Sequence, residues 1–469
     1  MKISDTLRAK SPQKRYRYLF SNHNFELFEE AGNYEEQENK LEGKRQDAIR
    51  KILKEGGIKA VLHLSENADA PGRVGYSLGN VSESDIDCVI LPDMIEDDDL
   101  KVKEFTSAFV LAKFRRLGWP WANQVAAEKW SKEQIGIFFS YLPSTQNTWD
   151  SVGRLLGEDE IEYWKRAAAS AYVESENLDY AIDKLIRYKR PNAAITYLYL
   201  GLHKKSKLNK ILAIKALKDA VTTEEPPYAF DTFQIVEVIK ALQNDPEVSP
   251  DDLFDVEWAY LQLLTGPGNT GTPESLEIKL ATEPNFFCEL IRRIYRSKYE
   301  RKTKKETTEQ EKAIATKAWL LFRIWKRIPG ITENNNFSTK QFKEWLLKVK
   351  TTCGESGHFD AAMNTLGEAL IHSPSDPDGL WIHRTVAEAL NEEDAEQIRI
   401  GYYRGIINAR GSHWVDPSGK PEKELAEKYR RQADGIEDAG YFRFAQTLRK
   451  LAKIYEEEAK RIIEDYKKE

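Results

Sequence analysis

Cysteine is nearly missing from this chain. Cys88, Cys288 and Cys353 are an odd number in 469 residues, widely spaced, with no Cys-x-x-Cys pair. That argues against a disulfide framework and against a structural zinc site; isolated cysteines in such a chain are most often small buried apolar residues. Long apolar runs are missing too. The longest, Ala318–Trp325, is interrupted by Arg323, whereas a bilayer span needs about 20 apolar residues. The first twenty residues carry charges where a secretion signal needs an apolar stretch, so a cytoplasmic protein without a membrane partner is expected. A net charge of −6 gives no bulk reason to expect nucleic-acid binding, though a local patch can still provide it.

Catalytic and cofactor signatures are equally scarce. There is no Gly-x-x-x-x-Gly-Lys-Ser/Thr loop, and none of the seven histidines falls at a metal-binding spacing. Gly266-x-Gly268-x-x-Gly271 matches the dinucleotide fingerprint by letter. That motif works only after a strand, and the pattern here places a helix before it. No metal and no cofactor is expected. Asp376, Asp378 and His383 could form a carboxylate–imidazole pair, but Asp376-Pro377-Asp378 reads more simply as an acidic helix start.

What is abundant is amphipathic helix. Hydrophobic residues make up 41% and charged residues 31%, a soluble helical composition. Leu41, Ala48, Ile49, Ile52 and Leu53 share one helical face, and Gly56-Gly57 ends it. Ser131–Gln134 and Ser338–Gln341 read as capping boxes. Ser249-Pro250 reads as an N-cap followed by a first-turn proline. Phe444, Leu448, Leu451, Tyr455, Ala459 and Ile462 form a stripe at spacings of three and four. Val81–Asp99 is acidic around Cys88–Leu91 and reads as a loop or short helix at a subdomain boundary.

The fold class expected is all-α: stacked helical hairpins in a degenerate solenoid like tetratricopeptide (TPR) or HEAT repeats. The divisions expected are an N-terminal helical subdomain over 1–97, a helical array over 98–264, a loop or hinge over 265–275, and a second array over 276–469. Trp119, Trp121, Trp130, Trp149 and Trp164 are expected to wedge between helices.

Two stretches have the residue types of a binding site. Gly401–Asp416 combines glycines with Arg404, Arg410, His413 and Trp414. The arginines suit a phosphate or a partner carboxylate, and a structural corner, with Trp414 buried and Arg410 bonding carbonyls, accounts for the same residues. Arg292, Arg293, Arg296, Lys298, Arg301 and Lys302, with Tyr295 and Tyr299 between them, suit nucleic acid, and a solvated helix end accounts for them as well.

Several strings carry a family resemblance: RYRYLFSNHNF, KILKEGGIKAVLHLSENADAPGRVGYSLGNV, LGWPWANQVAAEKWSKEQIGIFFSYLPSTQNTWDSVGRLL, and YYRGIINARGSHWVDPSGKPEKELAEKYRRQADGIEDAGYFRFAQTLRKLAKIYEEEAKRI. They resemble the C-terminal helical region of large bacterial proteins found among mobile and antiviral (anti-phage) defence genes. The resemblance implies an array that senses or scaffolds, with an effector or nucleotide-binding domain N-terminal to it. This chain has no such domain ahead of the array, so it is expected to be a separate subunit or a split-off part, and no catalytic residue carries over. A non-enzymatic scaffold or sensor follows. Its expected partner is a protein, either an effector subunit or a phage-derived trigger. The alternatives are a nucleic-acid-binding protein using 292–305 and a helical enzyme centred on Arg404, Arg410 and His413.

Overall fold

The computed structural model describes residues 12–23, 33–126, 130–168, 177–226, 231–266, 271–300, 308–332, 335–411 and 414–466. Among these every regular element is a helix, and the β structure is one isolated antiparallel bridge, Ile331 to Phe337. No helix among the described residues is long and apolar enough to cross a membrane. The chain divides into two compact units, Met1–Val238 and Ile239–Glu469.

The first unit opens with Pro12–Tyr16 and a 3-10 turn, Arg17–Phe20. The helix Tyr34–Asn67 starts where Asn33 accepts from the Glu36 amide, and it kinks at Gly57, whose φ of +64° needs glycine. Arg45 is buried on it and donates to the Leu19 carbonyl at 2.8 Å, pinning the lead-in to this helix. Arg73 does the same to the Ser21 carbonyl at 2.6 Å. The helices Pro71–Val81 and Leu100–Ala126 lie backbone to backbone, because Gly75 and Gly79 face Phe105 and Phe109 with no side chain between them.

Between them the acidic stretch is not a loop. Ser84–Met94 is helical, with Ile90 and Leu91 buried and Asp87 facing inward. Asp87 pairs with the fully buried Lys113 ammonium at 2.8 Å and accepts from the Trp121 indole at 2.7 Å. Lys113 also donates to the Ser82 and Glu83 carbonyls, at 3.1 and 3.0 Å. A charged residue in an acidic segment reads as solvated by composition, yet this one fastens its helix to Leu100–Ala126 through two side chains.

Further along, Ser131 and Gln134 complete both bonds of the expected capping box, at 3.0 and 2.9 Å. Trp149 and Trp164 are buried 6.4 Å apart, centroid to centroid, and Trp121 and Trp130 pack on Phe138. Ile161–Trp164 is a single helical turn. Arg190 takes over its loose end, donating to the Trp164 and Ala167 carbonyls at 3.1 and 2.7 Å.

In the second unit the core draws on helices from Pro250–Leu264 to Phe442–Tyr466. The stripe Phe444, Leu448, Leu451, Tyr455, Ala459 and Ile462 is buried as its spacing requires, largely against Lys420–Asp438. Phe444, Leu448, Leu451 and Ile462 each contribute about 1.5–3 kcal/mol on burial. The helices Phe359–Ala369 and Glu396–Ala409 repeat the close approach of the first unit, at Gly367, Gly401 and Gly405. Glu309–Ile324 carries nearly all of the longest apolar run. Ala318 and Leu321 are buried on it, but Trp319 is exposed and lies under the Arg323 guanidinium at 4.8 Å.

The expected acidic helix start at Asp376 is instead a folded turn, and the helix begins at Arg384. Asp376 accepts from the Arg384 amide at 2.8 Å and holds its guanidinium, while His383 Nδ1 accepts from the Thr385 amide at 3.2 Å. The carboxylate and the imidazole are both engaged in closing the turn. Hydrogen bonds from Arg384 hold the Asp376 carboxyl well below the usual carboxylate range, against the opposing effect of burial. The folded value lies below the unfolded one. The stabilisation is therefore present above about pH 4 and is lost as pH falls through the folded value. Melting temperature followed against pH should fall more steeply on the acid side for the parent than for Asp376→Asn. Parallel acid limbs would contradict this reading.

Candidate functional site

The residues singled out in 401–416 go to different places. Arg410 is locked inside the second unit: it pairs with the buried Glu422 and, at 3.0 Å, with Glu458, and its guanidinium lies 5.3 Å from the Tyr455 ring. It bonds carboxylates rather than carbonyls and ties three helices together. Trp414 is 87% exposed, not buried as a corner residue would be. His413 lies outside the described residues. The glycines Gly401 and Gly405 serve helix packing, and they sit away from the loop.

Arg404 is different. It is exposed, donates to Asn364 Oδ1 at 3.3 Å, and lines a groove of about 560 Å³. Helical spacing builds this groove. Glu396, Arg399, Ile400, Tyr403 and Arg404 fall on one face of Glu396–Ala409, and Thr447, Lys450, Lys453, Ile454 and Glu457 on one face of Phe442–Tyr466. Ile400, Tyr403 and Ile454 are half-buried and form an apolar floor. Four cations, Arg399, Arg404, Lys450 and Lys453, stand around it against two carboxylates. Arg399 is fixed by the Leu390 and Glu392 carbonyls, at 2.9 and 2.8 Å, where it caps the preceding helix end. Burial lowers its pKa from the usual arginine value, and the neighbouring Arg443 lowers it further. The carboxyl of Glu368 is raised by burial, against the pull of the Arg404 charge.

The basic run is spread over a helix end and a turn. Arg292 and Arg293 close Pro284–Ile294, where cations favour the helix dipole, and Arg293 pairs with Glu289 at 3.2 Å. Arg296, Lys298 and Tyr299 follow in a turn stapled to 356–358: Ser297 Oγ donates to the Ser356 carbonyl at 2.7 Å and Lys298 N to the Gly357 carbonyl at 3.0 Å. The Tyr299 ring packs on Gly357 and carries the Lys298 ammonium 5.4 Å from its centroid, so one face is already occupied. Arg301 and Lys302 lie outside the described residues.

Other cavities are more self-contained. One of about 570 Å³ in the first unit has Glu96, Asp98, Glu133 and Arg166 on its wall. Arg166 pairs with Glu133, and Lys103 pairs with Asp98 at 2.8 Å. No group of three or more metal-ligating side chains is found among the described residues. The fingerprint glycines Gly266 and Gly271 lie between the helices Pro250–Leu264 and Glu274–Thr282, and Gly268 is outside the described residues.

No family model, no curated protein and no solved structure matches the chain.

Proposed function

We propose that the chain is a non-enzymatic helical scaffold or sensor, and that the groove beside Arg404 takes an acidic, amphipathic segment of a protein partner. The observation carrying this is the groove's composition: a surplus of cations around an apolar floor, on a chain whose net charge is −6. Such a local reversal of sign steers and selects an acidic partner. Ile400, Tyr403 and Ile454 offer it the apolar contacts that carry most interface energy. The degenerate TPR- or HEAT-like stacking of hairpins and a place in bacterial anti-phage defence belong to the same proposal. They rest on hairpin spacing and on the resemblance of the quoted strings. In that setting the partner is an effector subunit or a phage-derived trigger.

The test is affinity capture on the tagged chain in nuclease-treated lysate, beside the double variant Arg404→Glu/Lys450→Glu. The expected result is a protein captured in stoichiometric amount whose affinity drops about tenfold or more in the variant, with an unchanged melting curve. Equal capture by both chains contradicts the groove. Capture that succeeds from untreated lysate and vanishes from nuclease-treated lysate would favour nucleic acid on the 292–302 run instead.

A further inference from the structure

The two buried cysteines are far apart in sequence and adjacent in space. Cys288 sits on Pro284–Ile294 and Cys353 in the last turn of Thr339–Glu355. Both are fully buried, and the Cys353 thiol donates to Cys288 Sγ at 3.2 Å. The chain after each cysteine is fastened to the chain after the other. Ser297 Oγ bonds the Ser356 carbonyl at 2.7 Å, Lys298 N bonds the Gly357 carbonyl at 3.0 Å, and His358 Nε2 meets the Tyr295 carbonyl at 3.2 Å. The sulfurs are therefore held together by a corner anchored at three points. A disulfide needs them about 2.05 Å apart, a closure of about 1 Å that side-chain rotation can supply.

We propose that Cys288 and Cys353 are a redox-active dithiol that closes into an intramolecular disulfide, with a small-molecule disulfide as oxidant. The hydrogen bond from Cys353 holds the Cys288 thiol below its ordinary value, against burial, and the Arg292 and Lys348 charges add to it. The same bond, with burial, pushes Cys353 up. Cys288 is thus the attacking sulfur. Its thiolate attacks one sulfur of the small disulfide. The reagent's S–S bond breaks, and one thiolate leaves with the bonding pair and takes up a proton. Cys353 then loses its proton, attacks the Cys288 sulfur of the mixed disulfide and expels the second small thiol. Two protein thiols are oxidised by two electrons, and one small disulfide is reduced to two thiols. The crosslink spans 65 residues and joins two helices of one core, so it restricts the unfolded chain.

The test uses the full chain carrying Cys88→Ser, which removes the exposed cysteine, incubated with oxidised glutathione. The chain is then denatured, alkylated, digested and analysed by mass spectrometry. The expected result is that alkylatable thiols fall from two to none and a Cys288–Cys353 linked peptide appears. The melting midpoint should rise by about 5 °C or more, and dithiothreitol should reverse it. Adding Cys353→Ser should abolish both the linked peptide and the shift. The incubation is repeated just below the melting midpoint, where the corner opens to the reagent. Two alkylatable thiols there, or glutathione retained on each cysteine, overturns the proposal.

Discussion

Lys113→Met is expected to destabilise the first unit by about 3–5 kcal/mol. The ammonium is fully buried and serves the Asp87 carboxylate and two carbonyls, those of Ser82 and Glu83. Methionine fills much of the same volume, so loss of packing is small. What remains is a carboxylate that is 5% exposed with the Trp121 indole as its neutral donor, and an uncompensated buried charge is far costlier than a lost hydrogen bond. Replacing Asp87 by leucine as well should recover part of the loss, because a pair removed whole is less costly than a pair broken. Denaturant unfolding of the three chains measures this. A Lys113→Met cost below about 1 kcal/mol, the range of an exposed ion pair, would contradict the buried assignment.

Gly401→Ala is the second large effect. A Cβ at Gly401 would lie 2.0 Å from the Asn364 carbonyl oxygen and 2.8 Å from its carbon. Both are backbone atoms, so no rotamer change relieves the clash and the two helices must separate. Alanine in a helix ordinarily stabilises by about 0.5–1 kcal/mol relative to glycine. Here the expected sign is reversed, a loss of about 1–3 kcal/mol or more, the range of overpacked interiors. Gly435, on Lys420–Asp438, meets nothing within 4 Å. The same substitution there should raise stability slightly. Thermal melts of the two variants should therefore move in opposite directions; a shift of the same sign in both would remove the argument.

These examples show which links a sequence exposes. Local periodicity marks helices well: the terminal stripe, the Ser131 capping box and the break at Gly57 all follow from residue spacing and backbone preference. A capping box at Thr308–Glu311, with bonds of 3.1 and 2.9 Å, was equally readable from its Thr-x-x-Glu spacing but is hidden in a charge-rich stretch. Ser338 shows one of the two bonds of its box, accepting from Gln341 N at 3.3 Å. Periodicity does not name the surface that a face meets. The inward turn of Asp87, the pairing of Cys288 with Cys353 and the capture of Arg410 by Glu422 and Glu458 depend on residues brought from elsewhere in the chain. The same gap hides the groove. Arg404 stands out because glycines and aromatics surround it, but Lys450 and Lys453 look like the solvated face of an ordinary amphipathic helix until that helix is laid beside Glu396–Ala409. Gly401 and Gly405, which counted toward a binding site in the sequence, instead let two backbones approach.

Crosslinking mass spectrometry of the captured complex tests the central claim most directly. Lys450 and Lys453 are both exposed at the groove, so an amine-reactive linker reports what lies over it. The account predicts crosslinks from these two lysines to an acidic segment of the bound protein, with the Lys453 crosslink lost in Arg404→Glu/Lys450→Glu, where Lys453 keeps its amine. Crosslinks that avoid both lysines and gather on Lys298, or elsewhere on the chain, would contradict it.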